Sequence, residues 1–161
     1  MGIELHVIRA NEFIRLDVRA RLDFEASKRA LRGLAFACHK RGIDRAVLDL
    51  RAVPIPGKPQ FTPTQLALLV TTFKQAGFTR QQRLAILYHE DVHGGIRTFA
   101  FVNRLRGLQV RPFTEFEEAL KWLSEEDEGQ AEHDGEIPVA IKQPKRKLRS
   151  IRANSSSQDP A

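Results

Sequence analysis

Residues 46–66 read AVLDLRAVPIPGKPQFTPTQL, and this stretch decides the fold. Its first five residues, Ala46-Val47-Leu48-Asp49-Leu50, form a short apolar strand pattern. Pro54, Pro56, Gly57 and Pro59 follow, and a stretch so rich in breakers is neither helix nor central strand, so a loop comes next. The helix after it has a well-specified start. Thr62 falls at the N-cap, Pro63 at N1 and Gln65 at N3, a capping box, with Phe61 and Leu66 spaced for a hydrophobic staple. Leu69, Val70 and Phe73 carry the apolar face onward to Gly77.

Working outward, the same alternation recurs. Downstream, Leu84–Tyr88 reads as a core strand and Gly94-Gly95 as a turn. Ile96–Arg106 reads as a helix closed by Gly107, and Val110–Phe113 as a last strand. Thr114 with Glu117 predicts a second capping box, opening a helix through Phe116, Ala119, Leu120 and Leu123. Upstream, Ile3–Ile8 and Phe13–Ala20 are strands joined by a short turn. The second alternates Ile14, Leu16 and Val18 against Arg15, Asp17 and Arg19, so the two are expected as an antiparallel hairpin. From about Phe24 to Lys40 the period becomes helical, ending at Gly42. The order ββαβαβαβα predicts an α/β fold with a mixed sheet: mostly parallel, helices packed against it, and a hairpin at the start. After Ser124 the pattern stops. Residues 125–136 are acidic and 142–152 basic, so the expected organisation is a domain over 1–124 and a disordered charged tail over 125–161.

Composition narrows the function classes. Cys38 is the only cysteine, which rules out an intramolecular disulfide and points to a reducing, cytoplasmic setting. The first ten residues, with Glu4, His6 and Arg9, show no signal-peptide core, and no apolar run approaches membrane-spanning length. The tail holds eight acidic and six basic side chains of the chain's 20 and 26, which leaves residues 1–124 near +8. That surplus suits an acidic protein partner, although solubility charge on helix faces explains it too. Aromatic residues do not interleave with the arginines as stacking platforms, so nucleic acid is expected only through the basic tail segment.

Several residues invite a chemical reading. His89-Glu90-Asp91-Val92-His93 matches the spacing that lets a helix present two zinc ligands and a base on one face. It follows a strand-like run and precedes two glycines, so a polar strand-to-helix loop is the competing reading, and zinc hydrolysis stays a weak alternative through His89, Glu90 and His93. Thr62 and Thr64 are candidate phospho-acceptors at a helix N-terminus, where the dipole favours phosphate. Thr62 already has a capping duty; Thr64 has none and is the better candidate. Asp49, inside an apolar strand, needs a partner: neighbouring loop amides, or a functional one. Cys38 reads as core, and Trp122 as core or a lid on the sheet. The chain carries no phosphate-cradling glycine loop, no Cys-x-x-Cys pair and no nucleophile elbow, so no cofactor is expected.

The run Ala46–Ile55 resembles the strand and loop before the switch helix of STAS domains, the sulfate-transporter and anti-sigma-factor-antagonist family. Phe99-Ala100, Arg106-Gly107, Val110-Arg111, Phe113 and Glu118–Leu123 resemble its stand-alone, SpoIIAA-like branch, also labelled STAS/SEC14-like. The resemblance covers about residues 3–124. It implies a central sheet with stacked helices and regulation by protein contact, reset by phosphorylation at the start of the switch helix. The family's Asp-Ser-Ser-Gly type of motif is replaced here by Pro56-Gly57-Lys58-Pro59. The first expectation is therefore a non-catalytic, regulatory protein-interaction module. Its surface is expected at the carboxyl end of the parallel strands: Asp49, Pro56, Gly57, Lys58, Thr62, Thr64, His89 and His93. The alternative is a carrier for a small apolar or anionic ligand, which requires a cavity of a few hundred cubic ångströms, the size of an ordinary ligand pocket, between sheet and helices.

Overall fold

A computed structural model of the chain describes residues 2–8 and 12–126. The charged tail expected beyond Ser124 therefore lies outside the described residues from 127 onward. Strands β1 (Ile3–Ile8), β2 (Phe13–Val18), β3 (Arg45–Asp49), β4 (Arg83–Leu87) and β5 (Gln109–Phe113) form one sheet in the order of the chain. β1 and β2 are antiparallel and the remaining pairs parallel. Helices α1 (Phe24–Arg41), α2 (Pro63–Gln75) and α3 (Gly95–Leu105) make the crossovers, and α4 (Phe116–Ser124) ends the domain. A central sheet with helices stacked on it is what the STAS resemblance implies.

Strand alternation divides the core in two. Ile14, Leu16, Ala46, Leu48, Leu84 and Ile86 point toward α1, α2 and α3, which share one hydrophobic cluster. Phe13, Val47, Ala85 and Leu87 point the other way, where Ala119, Trp122 and Leu123 of α4 cover them. Because the strand order never reverses, all three crossover helices lie on one face, with α2 packed between α1 and α3. α4 covers β4 and β5 on the opposite face and leaves the polar side of β1 and β2 to its charged residues. Trp122 is a lid on that second face, 6% exposed, with Phe113 beside it and the Arg83 and Arg111 guanidinium groups over its ring.

Local chemistry sets the helix ends. Asp23 Oδ1 accepts the Ala26 amide of α1 at 2.7 Å. Gly42, at φ 64°, closes the helix in the left-handed conformation that glycine adopts without strain, and Ile43 N–H returns to the Cys38 carbonyl at 3.0 Å. The Thr62 capping box is fully formed: Gln65 N–H donates to Thr62 Oγ1 at 3.2 Å and Thr62 N–H to Gln65 Oε1 at 2.9 Å. The second box is not in register. α4 starts at Phe116, one residue later than Thr114 at the N-cap requires. Phe116 docks against Phe13 at 6.4 Å and beneath the Arg15 guanidinium, so packing fixes where that helix begins. β3 and β4 each begin one residue earlier than their apolar runs suggest, because Arg45 and Arg83 pair with each other in the ladder. Among the described residues, no helix is long and apolar enough to cross a membrane.

Candidate functional site

At the carboxyl ends of β3 and β4 the chain forms a half-open cavity of about 660 Å³ between the sheet and the three-helix layer. Val18, Leu31, Leu48, Leu69, Ile86 and Phe99 are among its walls. Each comes from a different element, and each is an inward-facing position of its strand or helix. The roof is the loop between β3 and α2. Val53, Pro54, Ile55, Pro56, Pro59 and Phe61 of that loop line the space. Proline density explains why the loop stays off the sheet: it lacks the amide donors a ladder would need.

The roof is fastened on two sides. The Arg21 guanidinium donates to the Ile55 carbonyl at 3.3 Å, and the Gln60 side-chain amide donates to the Leu22 carbonyl. Across the mouth, His93 Nε2 lies 3.1 Å from the Pro56 carbonyl; that oxygen can only accept, so the ring nitrogen donates. The polar lining includes Arg51, Tyr88, His89, Glu90, Asp91 and His93, which belong to segments at the mouth and keep contact with solvent, so cations and carboxylates both stand there. An apolar chamber with polar groups confined to its entrance is suited to a ligand with one polar or anionic end.

Behind the mouth, on the α4 side of the sheet, lies a charge cluster centred on Asp49. Asp17 and Asp49 are direct neighbours in the β2–β3 register, two like charges on one face. Arg15 bridges them, with Nε 2.7 Å from Asp17 Oδ1 and Nη2 2.8 Å from Asp49 Oδ2. Arg51 holds Asp49 in a two-pronged grip, Nε to Oδ1 at 2.9 Å and Nη2 to Oδ2 at 2.7 Å, and adds its backbone N–H at 3.1 Å. Burial alone pushes the Asp49 carboxyl up, but the Arg51 hydrogen bonds and the charges of Arg51 and Arg15 outweigh it and hold the group below its usual 3.8. The same contacts raise Arg51. Arg51 and His89 border both this cluster and the cavity.

The expected surface is thus brought together only in part. Pro56, His89 and His93 line the cavity, and Asp49 lies on the opposite face of the sheet. Gly57, Lys58, Thr62 and Thr64 are exposed on the roof and on the first turn of α2, outside the cavity wall. The H-E-x-x-H spacing has no helix to act on. β4 ends at Leu87 and α3 starts at Gly95, so residues 89–93 form the polar strand-to-helix loop. Asp91 within it caps α3, accepting from Ile96 N at 3.1 Å and Arg97 N at 2.9 Å, in place of Gly94, which offers no side chain. Among the described residues the grouping with metal-ligand proximity is Glu4, His6 and Asp17 on the hairpin, and it includes neither His89 nor His93. Cys38 is buried, and desolvation followed by the nearby Asp44 charge pushes its thiol up to about 12, the state of a core residue rather than a nucleophile.

Sequence reasoning missed Arg15, Arg51 and Asp91. The Arg15/Asp17/Arg19 alternation was visible as a polar face, but only the parallel register with β3 shows which carboxylates it meets. The cavity walls were legible as core positions and not as a cavity, because periodicity marks burial without marking what fills the space.

No family model matches the chain, and no curated protein matches it. Among solved structures, the chain is similar to an uncharacterised protein of the DUF3478 family from Shewanella loihica PV-4, described as having a SpoIIAA-like fold. The two share 14% identity at a TM-score of 0.47, over 76% of this chain and 92% of that one.

Proposed function

We propose that the domain is a non-catalytic binding module that holds a small, largely apolar molecule in the cavity beneath the Pro-rich roof, with the molecule's polar or anionic end at Arg51, His89 and His93. The observation that carries this reading is the chamber itself: about 660 Å³, within the roughly 300–1,000 Å³ of ligand pockets. Water in such a space finds few hydrogen-bonding partners, so an apolar ligand gains by displacing it. The test is to fill the chamber. Ala30 lies on the buried face of α1 and lines the cavity, so Ala30→Phe places a ring inside it. A fluorescent long-chain fatty acid should bind the parent saturably and the variant at least about tenfold more weakly, a loss of about 1.4 kcal/mol. The near-UV circular dichroism of Trp122 should be unchanged. Equal affinity in a folded variant refutes the reading.

A second reading, a regulatory protein-interaction module, is favoured by Ile55 and Val92, which are 48% and 62% exposed beside the mouth. Thr64, exposed in the first turn of α2, is its phospho-acceptor, and Lys58 is exposed in the loop before it. On this reading, replacing Thr64 or His93 weakens a partner complex without unfolding the domain. A partner that binds both variants as tightly as the parent counts against it.

A further inference from the structure

The sheet has two edges, and they differ in chemistry. β5 carries Pro112, which cannot donate to a further ladder. β1, Ile3-Glu4-Leu5-His6-Val7-Ile8, is the other edge; it contains no proline or bulge, and its one carboxylate, Glu4, lies on the face away from Ile3, Leu5 and Val7.

The register of the hairpin says which backbone groups this edge presents. Gly2 faces Arg19, and Arg19 N–H donates to the Gly2 carbonyl at 2.6 Å, so that pair is hydrogen-bonded. Alternation then makes Glu4 and His6 bond inward to β2, and turns the N–H and C=O of Ile3, Leu5 and Val7 to the open edge. The side chains of these three lie on the same face as Val18, Leu16 and Ile14, the core side, yet Ile3 and Leu5 are 41% and 42% exposed.

We infer that β1 pairs with β1 of a second copy of this chain, antiparallel about a two-fold axis through Leu5, joining two sheets into one of ten strands. In this register Leu5 faces Leu5, Ile3 faces Val7, and Glu4 faces His6 on the opposite side of the sheet. The outward backbone groups of Ile3, Leu5 and Val7 meet their counterparts, and six aliphatic side chains form a continuous floor. Within the hairpin Glu4 already meets His6 and Arg19, and His6 meets Asp17; this register adds a Glu4–His6 pair across the two copies to that cluster. A slip by two residues one way sets Glu4 against Glu4, and the other way sets His6 against His6; a slip by one sends every side chain to the wrong face.

The test uses the full chain in sedimentation equilibrium across about a hundredfold range of concentration, so that mass action is visible. The parent should approach twice its 18.3 kDa mass. Leu5→Lys should be monomeric over that range. His6→Glu sets like charges opposite at two symmetry-related points and should weaken the dimer about tenfold. Glu4→Lys combined with His6→Glu restores opposite charges and should recover it. Far-UV circular dichroism identifies any variant that has lost its fold, and native-state hydrogen exchange of the parent then decides, with the Ile3, Leu5 and Val7 amides slowing as concentration rises. A parent that stays monomeric overturns the inference. So does a dimer that none of the three folded variants alters, or one in which a foreign peptide occupies the edge.

Discussion

Replacing Asp49 with Asn changes no shape and removes one charge, which makes it a sharp probe of the cluster behind the cavity mouth. Asp49 is 6% exposed and accepts four hydrogen bonds, three from Arg51 and one from Arg15. In the variant an amide nitrogen faces the guanidinium donors, Arg51 loses the carboxylate that grips it, and Arg15 keeps only Asp17. Breaking a fully buried ion pair costs about 3–5 kcal/mol. The side chains of Arg15 and Arg51 are 26% and 30% exposed and recover part of this from solvent, which lowers the expected loss to about 2–3 kcal/mol. For a domain of roughly 120 residues, with an unfolding entropy near 2.1 cal/mol/K per residue, that is a fall of about 10 °C in Tm.

The pH dependence follows from the lowered carboxyl. Its stabilisation is fully present above the unfolded-state value, about 3.9, and is lost as pH falls through the lower folded-state value. The gap between parent and Asp49→Asn should therefore be full at neutral pH and narrow below about pH 4. Differential scanning calorimetry across that range measures it. A Tm within about 2 °C of the parent at neutral pH, or a gap that stays constant into acid, would refute the assignment of Asp49 as the ionised centre of the cluster.

Thr62→Ala removes the acceptor for the Gln65 amide and should lower stability by about 1 kcal/mol, near 4 °C in Tm, by the same calorimetry. Cys38, with its thiol pushed up to about 12 and buried, should react with Ellman's reagent only as fast as the domain opens, so labelling should accelerate with denaturant along the unfolding curve; prompt labelling of the native chain contradicts its placement. The chamber-filling Ala30→Phe and the β1 edge variants complete the set, with fatty-acid binding and sedimentation as their readouts.

Much of the fold was readable because each local signal had a single physical interpretation. The Pro-Gly punctuation of 54–59, the Thr62 capping box and Gly42 all stand where they were read. The failures share a cause, which is dependence on tertiary neighbours. Thr114 and Glu117 have capping-box spacing, but Phe116 docks on Phe13 and shifts the helix by one residue. The H-E-x-x-H letters also fit a helix, but there the favoured loop reading stands, because the run Arg83–Leu87 pairs on both sides in the sheet. Asp49 was expected to need a partner such as a neighbouring loop amide, and the Arg51 N–H supplies it. The two guanidinium groups that dominate its environment come from residue 15, over thirty positions away, and from a side chain two positions on. His93 was readable as a loop histidine, but its contact with Pro56 depends on how two separate loops meet.

The central claim is that the chamber holds a small molecule, and native mass spectrometry of the untagged chain from its own host tests it most directly, run beside Ala30→Phe. The account predicts a mass excess of one small molecule on the parent, released on denaturation, and its absence from the folded variant. A bare mass on both proteins, with a stoichiometric protein partner retained equally by each, would contradict it and move the function to the exposed rim around Ile55, Thr64 and Val92.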